Sequence, residues 1–154
     1  MEFIADIMVG KLAKYLRMAG NDVLYDNSFS DEEILEIAKK DNRIILTRDS
    51  VMLQRKECVK KIIRSILIKD DRLAGQLRQV KTELQLDLKP NLVRCIDCNS
   101  MLSEVEKKDV ENRVPAYVFK TQEHFLYCCI CNKYYWRGTH YESINKTFKN
   151  INGR

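Results

Sequence analysis

At 154 residues, 45% hydrophobic and 32% charged, the chain has the make-up of a globular protein, with room for one full domain or for a small domain plus an appended module. No apolar run approaches the roughly 20 residues of a membrane span, and the opening MEFIADIMVGKL meets acids too early for a secretory signal, which points to the cytoplasm. The formal net charge of +5 suits a polyanionic partner without requiring one.

Residues 3–5, beginning at Phe3, read as a short strand that ends on the acid Asp6. Residues 10–19 follow as an amphipathic helix, with Leu12, Ala13, Tyr15, Leu16 and Ala19 apolar and Lys11, Lys14 and Arg17 between them; Gly20 and Asn21 supply its stop. A second strand over 22–25 completes a βαβ unit. Ser30 and Glu33 have capping-box spacing, so a stronger helix opens there, with Ile34, Leu35, Ile37 and Ala38 as its buried stripe and Asp31 and Glu32 in its first turn. Ile44, Ile45 and Leu46 run without a polar break, the pattern of a strand buried on both faces of a parallel sheet, and Thr47, Arg48, Asp49 and Ser50 follow at once. The pattern predicts a helix over 50–59, a fourth strand over 62–68, and a fourth helix over 70–86 with Leu73, Leu77, Val80 and Leu84 at intervals of three and four. Such alternation argues for an α/β fold, a parallel sheet flanked by helices on both faces. Neither G-x-G-x-x-G nor G-x-x-x-x-G-K-[ST] occurs, which weakens nucleotide-cofactor and ATP readings.

The segment 86–92, with Pro90 and alternating charge, is the best boundary, giving a first domain over 1–90 and a module over 91–154. In that module Cys95 and Cys98 form one CxxC and Cys128 and Cys131 another, the spacing of a tetrahedral structural Zn²⁺ site. The 29 residues between the pairs leave room for an inserted hairpin or helix around 103–112. Cys129 adjoins the second pair but lacks its geometry, and Cys58, in the first domain, reads as a small apolar filler. With four ligands in hand, His140 is not needed as a fifth. Tyr134, Tyr135 and Trp136 can serve either as the ribbon's core or as stacking surfaces for unpaired bases. From Lys133 onward, Lys133, Arg137, Lys146, Lys149 and Arg154 face the single acid Glu142, a basic carboxyl-terminal strip.

Asp6 and Asp49 close two strands at the edge where open α/β sheets place their ligands. Acids gathered there call for a divalent cation at neutral pH. Each also has a local use, because Asp6 and Asp49 can cap the elements that follow and Asp31 can complement a helix dipole. Hydrolysing a phosphodiester needs neutralised phosphate charge and a hydroxide, and one or two Mg²⁺ or Mn²⁺ ions held by carboxylates supply both.

Phe3 to Asp6, VGKLAKYLRMAG with its following DV, the SDEEIL helix start, RIILTRD, RCIDCN and CCICNKYYWRGTH together resemble the Mut-seven C-terminal RNase domain, a PIN-like fold carrying a zinc ribbon. The resemblance covers nearly the whole chain in motif order. It implies a metal-dependent ribonuclease, whose acids fall on Asp6, Asp31 and Asp49, with Asp70 or Asp71 as a fourth. Asp6 and Asp49 are then direct ligands, Asp31 a ligand or water orienter, and Arg17 or Arg48 a phosphate contact. Lys14 stands where the motif tends to have arginine. The partner implied is RNA, with tRNA, rRNA and ribosome-associated substrates all open; the rivals are a non-catalytic RNA- or ribosome-binding protein of the same fold and a protein-interaction module built around zinc.

Overall fold

The computed structural model describes residues 1–153. The chain forms two compact units, Met1–Arg17 with Asn21–Asp87 and Met18–Gly20 with Leu88–Arg154.

The first unit is built on a parallel sheet of β1 (Glu2–Ala5), β2 (Asp22–Leu24), β3 (Ile44–Thr47) and β4 (Ser65–Leu67) in the order β2-β1-β3-β4. Helices α1 (Gly10–Met18), α2 (Asp31–Asp41), α3 (Lys56–Val59) and α4 (Leu73–Leu84) alternate with the strands. Every residue of β3 is buried, as its unbroken apolar run requires of a strand covered on both faces. Ile4 and Ile45 are register partners, and with Ile34, Leu35 and Ala38 of α2 they form one core cluster. Their strand neighbours Phe3, Ala5, Ile44 and Leu46 alternate to the opposite face. The expected α/β architecture is thus the observed one.

The start of α2 shows how locally some of this is written. Ser30 Oγ accepts from Glu33 N–H at 3.2 Å while Glu33 Oε2 accepts from Ser30 N–H at 2.8 Å, a reciprocal pair worth about 1 kcal/mol. Asn42, in the left-handed region, closes the helix.

Three expected elements come out differently. The helix expected over 50–59 is a 3₁₀ turn, Met52–Gln54, followed by the short α3, because Arg55 between them is extended. The strand expected over 62–68 shrinks to β4, because Ile62 and Ile63 N–H both donate to Glu57 O and thereby close α3. The helix expected from 70 begins at Leu73, since the Asp70 carboxylate takes the Arg72 N–H and holds that stretch in a turn.

The second unit carries an antiparallel sheet of β5 (Ser103–Val105), β6 (Phe125–Cys128) and β7 (Lys133–Tyr135) in that order, with α5 (Ala116–Thr121) between β5 and β6. A small core gathers Val110, Val118 and Phe125, against which Val105, Phe119, Tyr134 and Trp136 pack. Two of the three aromatics thus serve as core. Of the basic carboxyl-terminal strip, Lys133 lies on β7, Arg137 precedes helix α6 (Thr139–Asn152), Lys146 and Lys149 lie on it, and Arg154 lies outside the described residues; α6 buries Ile144, Phe148 and Ile151 on one stripe. Among the described residues no helix is long and apolar enough to cross a membrane.

Candidate functional site

From β1 the chain crosses to β2 on one side, then returns past β1 to reach β3 on the other. The carboxyl ends of β1 and β3 therefore flank a topological switch point, the crevice where open α/β sheets take their ligands. Asp6 follows β1 and Asp49 follows β3.

Thr47, the last residue of β3, joins the two: its hydroxyl donates to Asp6 Oδ2 and accepts from Asp49 N–H at 2.9 Å. Asp6 is only 4% exposed, and its second oxygen accepts from Met8 N–H at 2.8 Å. Asp49 Oδ1 accepts from Val51 N–H at the same distance.

This turn recurs. After β2, Asp26 Oδ1 accepts from Ser28 N–H at 2.8 Å, and after β4, Asp70 Oδ1 accepts from Arg72 N–H at 2.8 Å. Each of the four parallel strands is thus followed, within three residues, by an aspartate whose Oδ1 is held by the amide two residues on, an Asx turn. Taken in the strand order, Asp26, Asp6, Asp49 and Asp70 follow neighbouring strands at the carboxyl edge, one behind each. Hydrogen bonds from the Ser28 hydroxyl and amide hold the Asp26 pKa below its ordinary value, and the Arg72 amide does the same for Asp70. Sequence reasoning passed over Asp26. The signal was present, an acid directly behind DVLY, but it followed a strand already credited to the first βαβ unit.

The row also bears on the fourth acid. Asp70 lies three residues past β4, and its carboxylate and Cβ occupy the space that a Cβ on Gly75 would need. Gly75→Ala is expected to lower stability by about 1–3 kcal/mol despite alanine's higher helix propensity, since the side chain must displace the carboxylate. Asp70→Gly in the same chain removes both the carboxylate and the Cβ and should recover part of the melting temperature, and a thermal melt of the two variants checks both.

The remaining candidates fall elsewhere. Asp31 is exposed in the first turn of α2, near Arg55, which pairs with Glu32 at 2.7 Å. Arg17 is 2% exposed and its Nε donates to Val23 O at 2.9 Å, so it ties α1 to β2 and is not open to a phosphate. Arg48 is half-buried beside Asp49. Asp6, Asp31 and Asp49 do not form a group whose oxygens are close enough to share one ion; among the described residues the four cysteines are the group of three or more such side chains that does.

That second constellation lies in the other unit. Cys95, Cys98, Cys128 and Cys131 have sulfurs all within 4.8 Å of one another. Cys95 and Cys131 Sγ are 3.8 Å apart, and Cys98 and Cys128 Sγ 3.5 Å. Four thiolates at about 2.3 Å around a tetrahedral zinc stand about 3.8 Å apart, so the quartet fits that ion. Both pairs read Cys-x-x-Cys-Asn, and Asn99 and Asn132 take positive φ of 71° and 54°, turning the chain back after each knuckle.

Burial works against the Cys128 thiolate, but the Ser100 hydroxyl, the Cys131 amide and the facing thiols bring its pKa down to about 6. The Cys98 contact, burial and Cys95 push Cys131 up to about 12. Sulfurs this close hinder one another's ionisation, which a dication relieves. Cys129 is exposed and outside the quartet, and His140 is exposed in the first turn of α6. Cys58 packs in the first unit's core.

A parallel α/β sheet with a carboxylate-lined strand edge, followed by a small antiparallel sheet bearing a four-cysteine centre, defines an α/β protein with an appended cysteine ribbon. The model of the Mut7-C RNAse domain matches residues 1–148, and the chain belongs to that family, which implies a ribonuclease. Neither the curated proteins nor the solved structures return a match.

Proposed function

We propose that the chain hydrolyses RNA phosphodiesters with a divalent cation held at the carboxyl edge of the parallel sheet. The observation that supports this is the coupling of Asp6 and Asp49 through Thr47 at the switch point. A bound Mg²⁺ or Mn²⁺ supplies charge neutralisation at the scissile phosphate and a hydroxide near neutral pH.

The residues present suit such an ion. Mg²⁺ keeps several waters and needs one or two direct carboxylates, so oxygens spread along an edge serve it better than a closed cage. Asp6 and Asp49 offer those carboxylates, with the turns after β1 and β3 fixing their orientation. Asp26 and Asp70 flank them and are placed to orient bound water. Arg48, next to Asp49, is the cation for a phosphate oxygen. Asp31 is the peripheral member. In this reading a division near residue 90 separates the nuclease domain from a zinc ribbon that, with Lys146 and Lys149 on α6, helps hold RNA through its backbone.

The test is cleavage of a labelled RNA by the full chain in Mn²⁺, without added divalent metal, and by Asp49→Asn in Mn²⁺. Cleavage only by wild type with metal is expected. Equal turnover by Asp49→Asn, or metal-independent cleavage, removes the proposal.

A further inference from the structure

Between α3 and β4 the chain makes a tight turn at the amino edge of the parallel sheet, the edge opposite the aspartate row. Residues 55–64 hold Arg55, Lys56, Lys60, Lys61 and Arg64 against the single acid Glu57, a net +4 within ten residues of a chain whose total is +5. Arg55 is paired with Glu32. Lys56, Lys60, Lys61 and Arg64 are exposed, and their side chains form no ion pair among the described residues. Val59 and Ile62, interleaved with them, are 65% and 56% exposed.

The backbone makes this a rigid platform. Lys61 N–H donates to Cys58 O and Ile62 N–H to Glu57 O, a Schellman closure of α3. Buried Cys58 and Ile63 pin the turn on both sides. Lys61 itself sits at φ 54°, where glycine is the usual occupant. Among the described residues every other non-glycine residue at positive φ is an asparagine or glutamine, so the cation at 61 is held where the backbone favours giving it up.

We propose that this turn is a docking surface for the phosphate backbone of single-stranded RNA, a reading that rests on the chain acting on RNA. Phosphates take their affinity from unpaired Lys and Arg, and the turn concentrates them. Val59 and Ile62 give sugar and base faces an apolar contact between the charges. β3 runs four residues from this edge to the aspartates, about 13 Å, so RNA anchored here reaches the acids from one strand's length away.

Fluorescence anisotropy of a short labelled unstructured RNA, across KCl concentrations and without added Mg²⁺ or Mn²⁺, tests the turn on the full chain. In the Lys60→Gln/Lys61→Gly variant the slope of log K against log salt should shrink by about 1.4, the share of two phosphate contacts on a single strand. Lys61→Gly suits the left-handed backbone, so its melting temperature should equal or exceed wild type while RNA binding falls. Unchanged affinity and slope would overturn the proposal. So would binding to phosphatidylglycerol vesicles, through these same lysines, in place of RNA. A wild type that binds RNA through the turn but never cleaves it with Mg²⁺ or Mn²⁺ leaves this surface standing and removes the nuclease reading; metal-dependent cleavage with unaltered binding in the variant does the reverse.

Discussion

Cys128→Ser is expected to leave the second unit without a stable tertiary fold. Cys128 is fully buried, and its Sγ lies 3.5 Å from that of Cys98, so no solvent-side ligand can take its place at that corner of a tetrahedron. The strands around it span only three or four residues each, and the neighbouring cluster rests on Val110, Val118 and Phe125. Structural zinc sites contribute about 10–16 kcal/mol of apparent binding free energy, comparable to the whole stability of an ordinary domain, about 5–15 kcal/mol. Native mass spectrometry should find one zinc per wild-type chain and none on Cys128→Ser, with residues beyond 90 becoming sensitive to limited proteolysis. Cys129→Ser is the control: exposed and outside the quartet, it should retain the ion and the protection. A Cys128→Ser protein with full zinc and unchanged protection would show that the quartet is not the metal centre.

Asp6→Asn should reduce Mn²⁺-dependent cleavage by on the order of a hundredfold or more, whereas Asp31→Asn should stay within about tenfold of wild type. The contrast follows from position. Asp6 is buried at the switch point and shares Thr47 with the Asp49 backbone, while Asp31 is exposed on α2. Asparagine keeps an oxygen for the Met8 amide and an amide that can meet Thr47, so the fold should survive while the negative charge is lost. Single-turnover rates for both variants, with far-ultraviolet circular dichroism to verify folding, decide the matter. Equal losses would place Asp31 beside the cation; no loss from Asp6→Asn would remove the switch-point site.

Much of the first unit is readable because its signals are local. The apolar run of β3 needs no tertiary information, and the Ser30–Glu33 box is satisfied within four residues. The cysteine pairs are legible for the same reason, since each knuckle's geometry is contained in its own five residues. What escaped are elements set by a side chain acting on the backbone. Periodicity does not register that Asp70 takes the Arg72 amide, or that Glu57 O closes α3 before two isoleucines that look like a strand. Helix α6 was hidden for another reason: its lysines drew the eye, and Ile144, Phe148 and Ile151 sit four and three apart among them. Arg17 reads as the polar face of an amphipathic helix, and only the position of Val23 in space reveals that its guanidinium points inward.

The chain carries two donor sets of opposite character on separate units, an all-oxygen row behind the parallel strands and an all-sulfur quartet on the ribbon. Hard ions prefer the former and thiophilic ones the latter. If the proposed cation site holds, magnesium and zinc would be drawn from a cell's pools by the same polypeptide without competing for a seat. Under the proposed function, scarcity of zinc would cost the ribbon its shape and scarcity of the hard cation would cost turnover, two failures that a cell could experience independently.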